Sequence, residues 1–407
     1  MRVTTAFNRL LRLAGATVAA VEIGDDGVVV DLRRRRRRLV ECPCGYTSRA
    51  FYDRTTRRWR HLDVAGTQLW LRAEIRRLEC PRCGVRTEQV PWARPGSRFT
   101  ADFEDLVAWL AQRSAKSTVA ELMRCSWTSV DRIVASVVAE HLDDARLDGL
   151  VHLGVDEIAY RNGHRYLTVV VDHDTNRVVW AVEGRTKEAL AAFYATLGEQ
   201  RCAEIEAVSM DMTTIYRSIT EETIPQAAIC LDPFHVMQWV NQALDSVFKS
   251  APRTELDGSI SGLEWRRTRT ALRTGAEHLN DDQRARVNRL RRRRFQLWRA
   301  WELKEQFRDL YRDTPPEHAA DYLEHWCSCA MRSKIGAFVI LARRIRKHFA
   351  GIINAVTYGL SNSRVEGVNA KIRLINNRAH GHRSADALIA SIYLTLGGIT
   401  VPLPTGL

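Results

Sequence analysis

Two cysteine pairs constrain the start of this chain more tightly than any other feature. Cys42-Pro43-Cys44-Gly45 and Cys80-Pro81-Arg82-Cys83-Gly84 bracket a strand-like stretch that includes WRHLDVAGTQLWLRAEIRRLE. A glycine after each pair lets the backbone turn so that its amides face the sulfurs, and four thiolates satisfy a tetrahedral zinc ion. A module this small does not bury enough apolar surface to fold unaided, which favours a metal. The expectation is a zinc ribbon over about 40–92, inside an N-terminal region 1–94, with Cys42, Cys44, Cys80 and Cys83 as ligands. The first pair is Cys-x-Cys rather than Cys-x-x-Cys, so His61 is a substitute ligand, and a β module without metal is the alternative.

The charge balance points to the partner. The 407 residues hold 61 Lys and Arg against 48 Asp and Glu, a net charge of +13. That excess favours a polyanion, nucleic acid before an acidic membrane surface, over a merely solvated basic face. Arg33–Arg38, beside the first cysteine pair, reads as a phosphate contact or a solvated run. No apolar run approaches the length of about 18 residues that a membrane span needs. The N-terminus has no apolar core with a small-residue cleavage site, and nine unevenly spaced cysteines suit reduced thiols. The expected place is the cytoplasm.

Pro95 and Gly96 open a new segment, 95–145. Three helices are predicted at about 101–113, 117–123 and 127–140, with Ser117 and Thr128 as N-caps. Val119, Leu122 and Met123, then Val130, Ile133, Val134 and Val137, recur at helical spacing. Two short helices and a longer third fit a helix-turn-helix. Its third helix would enter the major groove with Ser126, Trp127, Thr128, Ser129 and Arg132 near bases. A plain three-helix connector has the same pattern.

From Gly149 the texture becomes β-β-β-α-β-α-β-α. Three antiparallel strands extended by parallel additions through helices describe a ribonuclease-H-like mixed sheet. It is expected from 149–248 and 351–400, with a helical insertion at 249–350 rich in arginine and tryptophan. The fold class is therefore multidomain α+β.

In such a sheet, strand ends deliver carboxylates to one edge. Asp156 is expected to end the first strand and Asp211 the fourth. Two adjacent carboxylates repel unless a cation joins them, and hard oxygen ligands suit Mg²⁺ or Mn²⁺. Two such ions serve in-line phosphoryl transfer. A third acid must come from a helix, and Glu366 stands alone among Asn362, Arg364, Asn369, Lys371 and Arg373 in SNSRVEGVNAKIRLINNR. Residues 366, 369 and 373 share a helical face, so Asn369 and Arg373 can orient phosphates or the carboxylate. The basic residues of this helix, with Asn369, suit DNA. Each acid taken singly is as readily a turn, cap or i,i+4 partner. Glu157 competes with Asp156, and strand alternation turns one of the two away. Asp172 and Asp174 fall in a hairpin turn and read as structural. Asp232 and His235, in CLDPFHV, form either a cap with its first turn or an auxiliary pair beside the metal site.

These segments together resemble the ISL-three family of DDE transposases from bacterial insertion sequences, over nearly the whole chain. The carriers are CPCG…CPRCG, the helix-turn-helix, GVDEIAYRNGHRYLTVVVD, VSMDMTTIYRSI, LDPFHVMQWVNQALD and SRVEGVNAKIRLINNRAHGHRS. The resemblance implies a catalytic triad of Asp156, Asp211 and Glu366. It also implies binding to terminal inverted repeats and target DNA, and a homo-oligomer, a dimer on DNA. A DNA-binding regulator descended from a transposase and a structure-specific nuclease are the alternatives. The retained acids disfavour the first, and two DNA-reading modules disfavour the second.

Overall fold

The computed structural model describes residues 2–25, 27–35, 39–211, 214–251, 261–292, 296–361 and 363–404. Arg36–Arg38 and Asn362 thus lie outside the described residues. The chain forms two compact units, Met1–Asp143 with Ile375–Leu407, and Asp144–Leu374.

The first unit opens with helix α1 (Val3–Leu11) and strands β1 (Ala16–Gly24) and β2 (Gly27–Arg34). Short strands β3 (Val40–Glu41) and β4 (Thr47–Ser48) flank the first cysteine pair, and β5 (Asp53–Val64), β6 (Thr67–Cys80) and β7 (Gly84–Thr87) follow. β5 and β6 form a hairpin. Ala65 (φ 52°) and Gly66 (φ 77°) turn it, as a two-residue loop with positive φ at both positions does. The sheet order is β1-β2-β6-β5, with β7 on β6. Its core holds Val30, Leu69, Leu71 and Ile75, and Trp59 meets Trp92 edge to face at 5.6 Å. The ribbon strands therefore belong to a larger sheet that the N-terminal strands complete.

Three helices follow: α2 (Ala101–Ala111), α3 (Lys116–Leu122) and α4 (Trp127–His141). They match the predicted spans closely. The caps differ. Thr100 accepts from the Phe103 amide and Ser126 from the Ser129 amide, so Thr128 lies inside α4; α3 starts after Ala115 with no side-chain cap, and Ser117 lies inside it. Val119 and Met123 are buried, whereas Leu122 is exposed.

The C-terminal helix α15 (Ala385–Leu396) packs on α4. Residues from Ile375 on pack with this unit. His382 is buried here, within hydrogen-bond distance of Ser391 and Asn376. Burial depresses its pKa to about 4; Lys116 adds to the effect and Asp131 opposes it. The folded state thus refuses a proton that the unfolded chain takes up near pH 6.5. Stability from this site is full above that pH and falls as pH drops toward 4, by up to about 1.4 kcal/mol per unit. Melting temperature should fall on acidification from pH 7 to 5, and His382→Gln should flatten that slope in a thermal-shift series.

The second unit holds β8 (His152–Arg161), β9 (Arg165–Asp172) and β10 (Arg177–Glu183), then α5 (Lys187–Ala203), β11 (Ala207–Met210), α6 (Thr214–Thr223), β12 (Ala228–Leu231) and α7 (Pro233–Ser250). The order β10-β9-β8-β11-β12 has antiparallel pairs up to β8 and parallel pairs beyond. One face packs Leu153, Val155, Val170 and Met210 against Leu190, Phe193 and Tyr216 of α5 and α6. Helices α8 (Gly262–Arg273), α9 (Asp281–Arg292), α10 (Gln296–Arg312), α11 (Ala319–Arg332) and α12 (Gly336–Lys347) form the insertion, and α13 (Phe349–Thr357) follows. The insertion builds its own core on the apolar stripe of α7, Val236, Val240, Leu244 and Val247. Helix α14 (Ser363–Arg378) then returns to the sheet.

Candidate active site

The parallel register builds the site. Met210 of β11 pairs with Val155 of β8 on one side and with Leu231 of β12 on the other. The next residues are Asp211, Asp156 and Asp232. Three carboxylates thus form one row across neighbouring strands, which stand about 4.8 Å apart in sheets. β8 does not end at Asp156, as the sequence suggests; it runs on to Arg161 beside β9. What ends there is its pairing with β11, which opens the edge at this residue.

Asp156 is held on both oxygens. Oδ1 accepts from the Glu157 amide at 2.8 Å, and Oδ2 from Asn369 Nδ2 at 2.7 Å. Burial pushes this carboxyl above its usual range; the two donors oppose the shift, and the charge of Asp211 adds to it. Glu157 faces the other way, toward Tyr216 and Arg185, and burial pushes it up as well. Strand alternation therefore separates the two acids as the sequence predicts.

Helix α14 lies close against β8. A Cβ on Gly154 would stand 2.4 Å from Val365 Cγ2 and 2.8 Å from His173 Nε2, so only glycine admits the helix at this distance. Arg364 donates to the His173 carbonyl at 2.7 Å. His173 is buried against Ser209 (Nε2 to Oγ 2.6 Å), and burial, reinforced by Arg364, depresses its pKa to about 4. Asn369 is 3% exposed, so of the two roles open to it the carboxylate contact is the one present, on Asp156, and the DNA-facing role does not fit its burial. Glu366, Lys371 and Arg373 are exposed on the same helix. Glu366 is not in a closed cluster with the two aspartates. Among the described residues, the group of acids, cysteines or histidines whose ligand atoms all lie within 4.8 Å is Cys42, Cys44, Cys80 and Cys83.

Asp232 caps α7 by accepting from the Phe234 amide, and His235 Nδ1 sits 2.8 Å from Asp232 Oδ2 and 3.5 Å from Asp211 Oδ1. The cap and the auxiliary pair are thus the same structure. The hydrogen bond to Asp232 raises the His235 pKa, and the charge of Asp211 contributes. Asp172 accepts from the Asp174 amide and Thr175 within the hairpin turn, in keeping with a structural role.

In the cysteine cluster, Gly45 (φ 84°) and Gly84 (φ 70°) supply the left-handed turns, and Cys44 Sγ lies 3.5 Å from Cys80 Sγ. The Tyr46 amide and the neighbouring thiols lower the Cys44 pKa to about 7. His61 is not a ligand; its Nδ1 is 2.8 Å from Thr100 Oγ1. On α4, Arg132 is exposed, Thr128 and Ser129 bond the Ser126 hydroxyl, and Lys116 stacks 4.4 Å over the Trp127 ring. Gly154, His173 and Ser209 escape a sequence reading. The available signal is the glycine two residues before Asp156, since glycine inside a strand marks a close approach.

A transposase family model matches residues 153–392, covering the sheet, the insertion and α14. The chain belongs to the ISL3 transposase family. The helix-turn-helix domain of that family matches residues 88–138, and the zinc-finger of transposases IS204/IS1001/IS1096/IS1165 matches 38–83. The transposase for insertion sequence element IS1557 of Mycobacterium tuberculosis is 39% identical, over 93% of this chain and 91% of the relative. That for IS1001 of Bordetella parapertussis is 28% identical, over 87% and 88%. A looser likeness, with TM-score 0.39 and 10% identity over 75% of this chain and 93% of the other, is to the Drosophila P element transposase strand transfer complex. This transposase is accordingly an enzyme that cleaves and transfers DNA, and a DNA-binding protein. No helix among the described residues is long and apolar enough to cross a membrane.

Proposed function

We propose that Asp156, Asp211 and Glu366 hold two Mg²⁺ (or Mn²⁺) ions and cut DNA at the terminal inverted repeats of the element. The observation that carries this reading is the register row. Asp156 and Asp211 follow paired residues of adjacent parallel strands, and the charge of Asp211 adds to the burial that pushes the Asp156 carboxyl up. A divalent cation relieves that repulsion, and an all-oxygen donor set suits it. When bound, the ions activate a water or a 3′-hydroxyl and stabilise the leaving oxygen of an in-line displacement. Glu366, exposed one turn before Asn369, closes on the pair from α14. His235 steadies Asp211 from the Asp232 side. The sheet order 3-2-1-4-5, with a helical insertion before the last acid, supports a ribonuclease-H-like catalytic domain.

The four cysteines bind zinc. Helix α4 reads the repeat in the major groove through Trp127, Thr128, Ser129 and Arg132, while Arg364, Lys371 and Arg373 contact phosphates. Arg132→Ala should weaken repeat binding by about 1–3 kcal/mol and relax preference at one base pair, without lowering the salt slope. Competition with single-base variants of the repeat checks this. The active form is a dimer on DNA, working at the bacterial nucleoid. Incubating the purified protein with labelled element-end DNA and Mg²⁺ tests the whole reading. Cuts at the element boundary that vanish with EDTA are expected, and metal-independent cutting or none contradicts it.

A further inference from the structure

Asn369 combines three features that a surface residue of a basic helix does not have. It is 3% exposed, its Nδ2 donates to Asp156 Oδ2 at 2.7 Å, and its Oδ1 is buried with no protein partner. The amide orientation is dictated by chemistry, since turning it over would set an oxygen against the Asp156 carboxylate. Asp156 Oδ1 is taken by the Glu157 amide. Two donors, one on each oxygen, thus fix the rotation of this carboxylate. The Asn369 donor comes from the helix that also carries Glu366, seated on β8 by the Val365 approach to Gly154 and on the end of β9 by the Arg364 bond to His173.

We infer that Asn369 is a positioning residue of the metal site, which clamps Asp156 in its ligating orientation and ties α14 to β8 so that Glu366 is delivered beside it. The inference rests on the metal-site reading above. A neutral amide suits the task. A lysine or arginine there would neutralise Asp156 and compete with the cation, whereas an amide fixes the oxygen and leaves the charge. The first-turn spacing 366-to-369 makes one helix both a ligand carrier and its own register pin.

The test is Mn²⁺ binding by paramagnetic resonance on the zinc-loaded full-length protein, with duplex affinity and melting temperature measured alongside. Asn369→Ala and the near-isosteric Asn369→Leu, which removes the donor, keeps the volume and adds no charge, should each weaken Mn²⁺ binding about 10–100-fold, the usual cost of losing an outer partner of a ligand. Duplex affinity should not change, and the Leu variant answers if the Ala variant melts early. Wild-type Mn²⁺ binding in both variants overturns the inference, as does lost duplex affinity with Mn²⁺ binding intact. Asp156→Asn separates the two levels. If it binds Mn²⁺ as the wild type does, the metal-site reading falls and this inference falls with it. If it loses the ion while both Asn369 variants keep it, only this inference falls.

Discussion

Asn in place of Asp156 or Asp211, or Gln in place of Glu366, should remove DNA cleavage while leaving repeat binding at the wild-type level. Each change keeps side-chain shape and deletes one negative charge. Loss of a metal ligand removes several kcal/mol of transition-state stabilisation, and about 1.4 kcal/mol is a factor of ten, so a loss of about a thousandfold or more follows. Binding should be spared because α4, proposed to read the repeat, lies in the first unit, whereas both aspartates lie in the second. Single-turnover cleavage of end DNA, with gel-shift binding measured in parallel, checks all three. A variant that nicks at the wild-type rate would remove that residue from the triad. Asp156→Asn should also lose one of the two acceptor oxygens, held separately by Asn369 and the Glu157 amide, so its effect should be the largest of the three.

The second large effect concerns the cysteine cluster. Val40, Cys42, Leu78 and Cys80 are its buried residues, with Phe51 and Cys83 packed beside them. Half of that small core is the ligand set itself. Structural zinc contributes about 10–16 kcal/mol in isolated finger peptides, as much as the whole stability of an ordinary domain. Chelation, or Cys80→Ser, should therefore unravel the knuckles and abolish specific repeat binding. The neighbouring sheet, with its own core around Trp59 and Leu71, should persist. Metal analysis, near-ultraviolet dichroism and gel shifts follow the three parts. Unchanged specific binding by fully chelated protein contradicts the assignment. This variant is cleaner than deleting residues 1–142. Such a deletion would strip α4 from α15 and bare Leu388, Ile392 and Leu394, which are buried in the intact unit.

Local order was legible in the sequence. The succession of strands and helices from β8 to α7 follows from period-two and period-3.6 patterns that each segment carries by itself. That Asp156 and Glu157 turn apart needs only strand alternation, and each finds different partners. Long-range packing was less legible. Nothing local in the α15 sequence says that it rests on α4, because its apolar stripe would fit any apolar partner. The joining of β2 to β6 in parallel is likewise a pairing between distant segments. His61 carried a ligand's chemistry but sits beside Thr100, and only the fold decides which neighbour it meets. Asn369 was readable as a polar residue on Glu366's face, whereas its burial depends on how far Gly154 lets α14 descend. The capping residues moved by a position or two, as helix ends commonly do.

The most direct measurement is a crystal structure of the protein with Mn²⁺ and cleaved repeat-end DNA, with the ions located by anomalous scattering. The account predicts Mn²⁺ at the row formed by Asp156 and Asp211, with a carboxylate oxygen of Glu366 completing the coordination and Asn369 still bonded to Asp156. Manganese elsewhere, or a bound ion that Glu366 never reaches, contradicts it.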